Sequence, residues 1–228
     1  MNENRLQKIG GACAILEGLI YIVAFIIYGA ILVYPDATAS ANEKLNFLTE
    51  NHLTFSLLTF TSYILFGILL VALVVAIHNQ LKTHSPIRAQ IISAFGIIWA
   101  GLVIASGMIE NISLNAVIEM GSKEPENAML VFSATSIIIE GLGGGNEIVG
   151  GIWMLLLSLT ALRAQLFSKT LNYLGILVGV AGILTIYPLE IFKETFGISQ
   201  IFWFLWIGIS MLRKPVIIHH DLKTVGSP

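Results

Sequence analysis

Apolar residues in this chain are gathered into six runs, most of them near 20 residues long. A helix of about 20 such residues crosses roughly 30 Å of hydrocarbon, so runs of this length read as transmembrane helices. Only 11% of the residues are Asp, Glu, Lys or Arg, whereas a soluble domain carries about 25%. That is too little charge to cover a water-facing surface. The sequence therefore predicts an all-α, polytopic membrane protein whose first partner is the lipid bilayer.

The six transmembrane helices are placed at roughly 9–33, 54–81, 89–117, 144–163, 171–189 and 198–213. Residues 1–214 then form a single six-span membrane domain and 215–228 a cytoplasmic tail. The run from Ile9 to Val33 is about 25 residues, longer than the roughly 7–15 of a signal-peptide core, so it is expected to be retained. Loop charge sets the orientation. Arg5, Lys8, Lys82, Arg88, Arg163, Lys169, Arg213, Lys214 and Lys223 fall on one side, and Lys44, Lys123 and Lys193 on the other, nine against three. Both termini are expected in the cytoplasm, with the protein in the cell (inner) membrane.

One polar stretch interrupts the fourth run: Glu140-Gly-Leu-Gly-Gly-Gly-Asn-Glu-Ile-Val-Gly-Gly151. From Glu126 to Arg163 there are 38 residues without a proline, which as one helix would measure nearly 57 Å. Glycine costs an interior helix about 1 kcal/mol relative to alanine. A break is expected near 141–145, leaving Asn127 to Ile139 as a short outer helix or re-entrant segment rather than a seventh span.

The spans also resemble one another. Arg5, Arg88 and Lys169 each precede a glycine by 13 positions, namely Gly18, Gly101 and Gly182, and seven before those lie Gly11, Ala94 and Gly175. The inner ends Ala76-Ile-His-Asn-Gln-Leu81 and Ala161-Leu-Arg-Ala-Gln-Leu166 match, and Met211-Leu-Arg213 echoes them. Three repeated helical hairpins are expected. Small residues at helical spacing, Gly10, Ala14 and Gly18 on span one and Gly175, Gly179 and Gly182 on span five, are read as close helix packing.

With six spans, an Arg-x-x-x-x-x-Gly start at residues 5–11 and Ala-Leu-Arg-type inner ends, the chain resembles the bacterial membrane family catalogued as domain of unknown function 4386. The likeness runs over roughly residues 5–214. It implies a six-helix bacterial membrane protein, and it supplies neither an activity nor catalytic residues.

Polar groups inside spans are expensive and so mark candidate sites. Counted from the inner basic anchors, Glu17 lies about 18 Å deep, Glu147 about 24 Å, and Glu110 and Glu190 about 32 Å. If the fourth helix were continuous, Glu140, Gly143, Gly144, Glu147 and Gly151 would share a face. Gly107, Glu110, Asn111 and Asn115 share one on span three. Glu110, Asn111, Asn146 and Glu147 are then expected to face a common space, with Tyr187 and Glu190 nearby. These residues, with Asn115, Glu140 and Glu17, are the candidate ligand-binding set, and Glu147 is its centre. Glu110 and Glu190 also read as hydrated helix ends, and Glu17 as a neutral carboxyl bonded to a backbone carbonyl.

The remaining chemistry is sparse. His52, His78, His84, His219 and His220 form no His-Glu-x-x-His helix, and the lone Cys13 reads as a small packing residue. No metal and no cofactor is expected. Gly141-Leu-Gly143-Gly-Gly-Asn146 follows no strand and is not a dinucleotide loop. A net charge of −2 without a basic tract gives no sign of a nucleic-acid partner. Three functions remain: binding or transport of a small cation or cationic amphiphile through an outward-facing acidic site; an intramembrane lipid-modifying enzyme with Glu110 and Glu147 as acid and base; and a structural or accessory subunit. The first requires neither metal nor nucleophile and leads.

Overall fold

The computed structural model describes residues 3–213, and within them every regular element is a helix. The tail at 215–228, with His219, His220 and Lys223, and also Lys214, lie outside the described residues. Helix α1 (Glu3–Ile26) ends in a π-helical turn, Ile27–Ile31. A loop and the short α2 (Ala41–Glu50) follow. Then come α3 (His52–Thr59), a second π turn (Phe60–Leu65) and α4 (Phe66–Leu81). Helix α5 (Pro86–Gly121) is the longest at 36 residues. It is followed by α6 (Pro125–Ile139), a third π turn (Glu140–Gly144), α7 (Ile148–Arg163), α8 (Lys169–Leu184) and α9 (Glu190–Arg213).

Among the described residues, five stretches are long and apolar enough to cross a membrane: Glu3–Ile31, His52–Leu81, Pro86–Gly121, Pro125–Arg163 and Glu190–Arg213. Lys169–Leu184 is apolar but shorter, at 16 residues. It starts where Ser168 caps it, the hydroxyl accepting from the Leu171 N–H. The protein is an integral membrane protein by these helices. Their ends depart from the sequence placement mainly at the fifth run, which stops at Leu184 instead of 189, and the sixth, which begins at Glu190 instead of 198. Pro188 supplies the stop, since its ring denies the backbone a helical donor.

Six helices form a closed ring in the order α1, α4, α5, α7, α8, α9, and α9 returns to α1. Neighbours in the ring are antiparallel, and small residues set their approach. A Cβ on Gly11 would sit 2.9 Å from the Gly208 carbonyl oxygen, so α1 and α9 touch backbone to backbone. A Cβ on Gly10 would overlap Ala76 of α4. Gly179 and Gly182 do the same for α8 against Gly151 of α7. Lipid gives no hydrophobic push between helices, so close approach of this kind is what holds such a ring together. The positions that the sequence pattern makes equivalent are not used alike: Gly18 and Gly182 are packed, whereas a Cβ on Gly101 would meet open space.

An aromatic column fills the ring. Trp153 lies between Trp99 and Trp203, with ring centroids 5.6 and 5.9 Å apart, and all three indoles are buried. Phe66 stands edge-on to Trp99, Phe204 and Tyr21. These rings close the middle of the molecule. Away from the basic helix ends, α5 projects beyond the ring and packs with α2 and α6 around Leu45, Leu48, Leu114, Val117 and Ala128. Helix α2 opens with a capping box in which the Ser40 N–H and hydroxyl both bond Glu43. Those bonds hold the Glu43 carboxyl below its usual range. The Thr38 hydroxyl and N–H do the same for Asp36 in the preceding loop.

Candidate functional site

The site is made by the failure of helical winding between α6 and α7. The third π turn takes in Glu140 to Gly144, and Gly143 has φ 134°, a conformation that side chains with a Cβ rarely adopt. The chain then bends, and the Asn146 Oδ1 accepts from the Ile148 N–H at 3.3 Å, starting α7. Glu147 therefore stands just outside the first turn of α7, on a fixed backbone. Its N–H donates to Thr185 Oγ1 at 2.8 Å, and that hydroxyl donates to the Gly182 carbonyl at 2.7 Å.

The Glu147 side chain is held as firmly. Trp99 Nε1 donates to its Oε2 at 3.2 Å. The indole gets there because Gly150 lies beneath it, where a Cβ would fall 2.5 Å from the Trp99 ring. The carboxylate then faces a cavity of about 240 Å³ whose walls carry Tyr21, Phe25, Tyr28, Tyr63 and Phe66. All three π turns reach this one cavity: the first through Tyr28, the second through Ser62 and Tyr63, the third through Gly143 and Gly144. Such turns are rare and recur at functional sites, because an extra residue per turn re-aims side chains.

A second cavity, of about 280 Å³, lies under the α1–α2 loop, between α2, α3, α5 and α6. Glu110 lines it, and its Oε2 is buried without a hydrogen-bond partner. The partition between the two cavities includes Tyr28 of the first and Phe55 of the second, with ring centroids 6.4 Å apart.

The nine candidate residues are thus dispersed. Glu147 lines the first cavity and Glu110 the second. Asn146 is used at the start of α7. Asn115 is exposed: its Oδ1 meets His52 Nε2 at 2.9 Å and its amide donates to the Asn111 carbonyl. Glu140 and Glu190 both pair with Lys193 near the surface, and Tyr187 is exposed beside them. Glu17 is fully buried in the ring, with neither oxygen hydrogen-bonded. The common space expected for Glu110, Asn111, Asn146 and Glu147 does not form. The left-handed Gly143 swings Glu140 outward and away from the face of Glu147. Glu110 also stands two turns beyond Val103, which lines the first cavity, or about 10 Å along α5. Acid–base work shared between Glu110 and Glu147 has no common chamber.

Sequence reasoning missed the partners of Glu147. Trp99, Thr185 and the three tyrosines sit in apolar runs, where aromatic residues ordinarily read as core. The polar tips of Tyr21, Tyr28 and Tyr63 were the available signal, since a buried phenol needs a reason to be there.

Residues 10–212 match the family described as Domain of unknown function (DUF4386). The chain belongs to that family. No curated protein and no solved structure matches it. The DUF4386 match spans the whole ring, from α1 to the last turn of α9, and so includes every wall of the Glu147 cavity. Its description assigns no activity, and the function of this DUF4386 protein has to be argued from its geometry.

Proposed function

We propose that this DUF4386 protein crosses the bacterial cell (inner) membrane six times, as a single domain, and binds a small organic cation in the Glu147 cavity. The observation that carries the reading is one carboxylate set among five aromatic rings. Ring faces attract cations, most strongly where water is excluded, and a carboxylate supplies the countercharge. A cavity of about 240 Å³ suits an ammonium with a few carbons. The ordering of six antiparallel helices in one ring supports six crossings, with α8 as the short one at about 24 Å. Three successive pairs, α1 with α4, α5 with α7 and α8 with α9, are consistent with repeated hairpins.

The basic asymmetry supports cytoplasmic termini and a cavity toward the outside, through which a transported cation would enter. Single cysteines at Thr38 and Thr83 check this: an impermeant thiol reagent applied to intact cells should label position 38 and spare position 83. The reverse pattern would invert the topology. Cation binding itself is tested by calorimetry with tetramethylammonium on the purified protein. Saturable binding with one site per chain is expected, and heat indistinguishable from dilution would overturn the reading.

A further inference from the structure

The second cavity presents two opposite charges that do not pair with each other. Glu110 and Lys44 both line it, yet the ion pairs among the described residues involve only Lys193. Lys44 donates to the Ala37 carbonyl at 2.8 Å, which draws the loop bearing Tyr34 and Pro35 over the cavity. An ammonium has three donors, so Lys44 keeps capacity after that bond. Asp36, the carboxylate of this loop, is bonded by Thr38 and lies near enough to Lys44 to feel its charge without forming an ion pair. In the wall of the same cavity, the Glu110 carboxyl has the Thr59 hydroxyl as its neighbour, and its buried Oε2 makes no hydrogen bond of ordinary geometry. The rest of the lining is mainly apolar, with Phe47, Phe55 and Phe132 prominent beside Ser113, Thr135 and Ser136.

We infer that this outer cavity is a site for a zwitterion with an apolar body, of the α-amino-acid type, whose ammonium meets Glu110 and whose carboxylate meets Lys44. A buried polar atom without a partner is expensive, and a ligand bearing both signs satisfies both ends at once. Its volume of about 280 Å³ accommodates an aliphatic or aromatic amino acid and excludes a long peptide. The site belongs to the outer projection of α2, α5 and α6, and the Tyr28–Phe55 partition divides it from the Glu147 cavity.

The test is equilibrium binding of L-phenylalanine to the full-length protein in neutral detergent, beside 2-phenylethylamine and 3-phenylpropanoate, which each lack one charge. Phenylalanine should bind saturably, and each analogue at least about tenfold more weakly, the scale of one lost charge-assisted hydrogen bond. Glu110→Gln should weaken phenylalanine by a similar factor while leaving 3-phenylpropanoate unchanged. Lys44→Met should weaken phenylalanine while leaving 2-phenylethylamine unchanged. Because Lys44 also holds the loop, Lys44→Arg serves as a second variant and should retain binding within about threefold. Glu147→Gln should bind phenylalanine as the wild type does, which separates this site from the cation site. The inference is overturned if phenylalanine does not bind, if either analogue matches it, or if Glu110→Gln binds it unchanged.

Discussion

Replacing Glu147 with Gln is expected to remove tetramethylammonium binding while leaving the fold in place. The amide keeps the shape of the carboxyl and can still accept from Trp99 Nε1, so the internal loss is at most that of one hydrogen bond. Such bonds inside membrane proteins average about 0.6 kcal/mol. The ligand loses far more. A cation facing aromatic rings without a countercharge forfeits its ion pair, and truncating one partner of a desolvated pair costs about 2–5 kcal/mol. That is a fall in affinity of at least about 30-fold, enough to put binding beyond calorimetric detection. The variant's unliganded melting temperature should match that of the wild type, which separates loss of the site from loss of the protein. If Glu147 merely glued helices together, the variant would bind the cation as before.

Gly151→Leu is expected to be the most damaging single change in the ring. A Cβ at 151 would stand 2.6 Å from the Ile183 nitrogen, 2.7 Å from the Gly179 carbonyl oxygen and 2.8 Å from the Gly182 carbonyl carbon. All three are backbone atoms, so no rotamer change relieves the overlap and α7 must move off α8. Overpacking ordinarily costs about 1–3 kcal/mol, and here the upper end is the minimum, because a whole helix pair is displaced. The same movement separates Glu147 from Thr185 and so reaches the site. Gly101→Leu is the control, since a Cβ there meets nothing within 4 Å. Thermal unfolding in detergent should show the first variant strongly destabilised or unfolded and the second close to wild type. Equal stability of the two would mean that α7 and α8 are not in backbone contact.

Much of the scaffold was legible in the sequence, because its causes are local. Apolar run length gives the membrane helices, and four glycines within 141–145 give the break in the fourth run. The depth of Glu147, counted from Arg163, set it apart from the boundary carboxylates, and it lines the first cavity. What surrounds Glu147 was not legible. The turn at Phe60–Leu65 carries neither glycine nor proline, and the single Gly29 in Ile27–Ile31 does not by itself announce a π turn. Without those turns, nothing in the sequence brings Tyr28 and Tyr63 to one cavity. The grouping of Glu110 with Glu147 failed for a related reason. A face computed for a continuous helix has no meaning across Gly143, where the backbone reverses hand. Glu140, assigned to that same face, instead pairs with Lys193.

The claim that Glu147 forms the wall of a cation site is tested most directly at that residue. Purified protein is treated with a carbodiimide, with and without tetramethylammonium, and modification at each carboxylate is followed by mass spectrometry of peptides. Glu147 should be modified in the free protein and protected as tetramethylammonium saturates. Exposed Glu190 should react equally in both samples, and Glu17, sealed in the ring, should react in neither. Modification of Glu147 that does not change at any cation concentration would contradict the account.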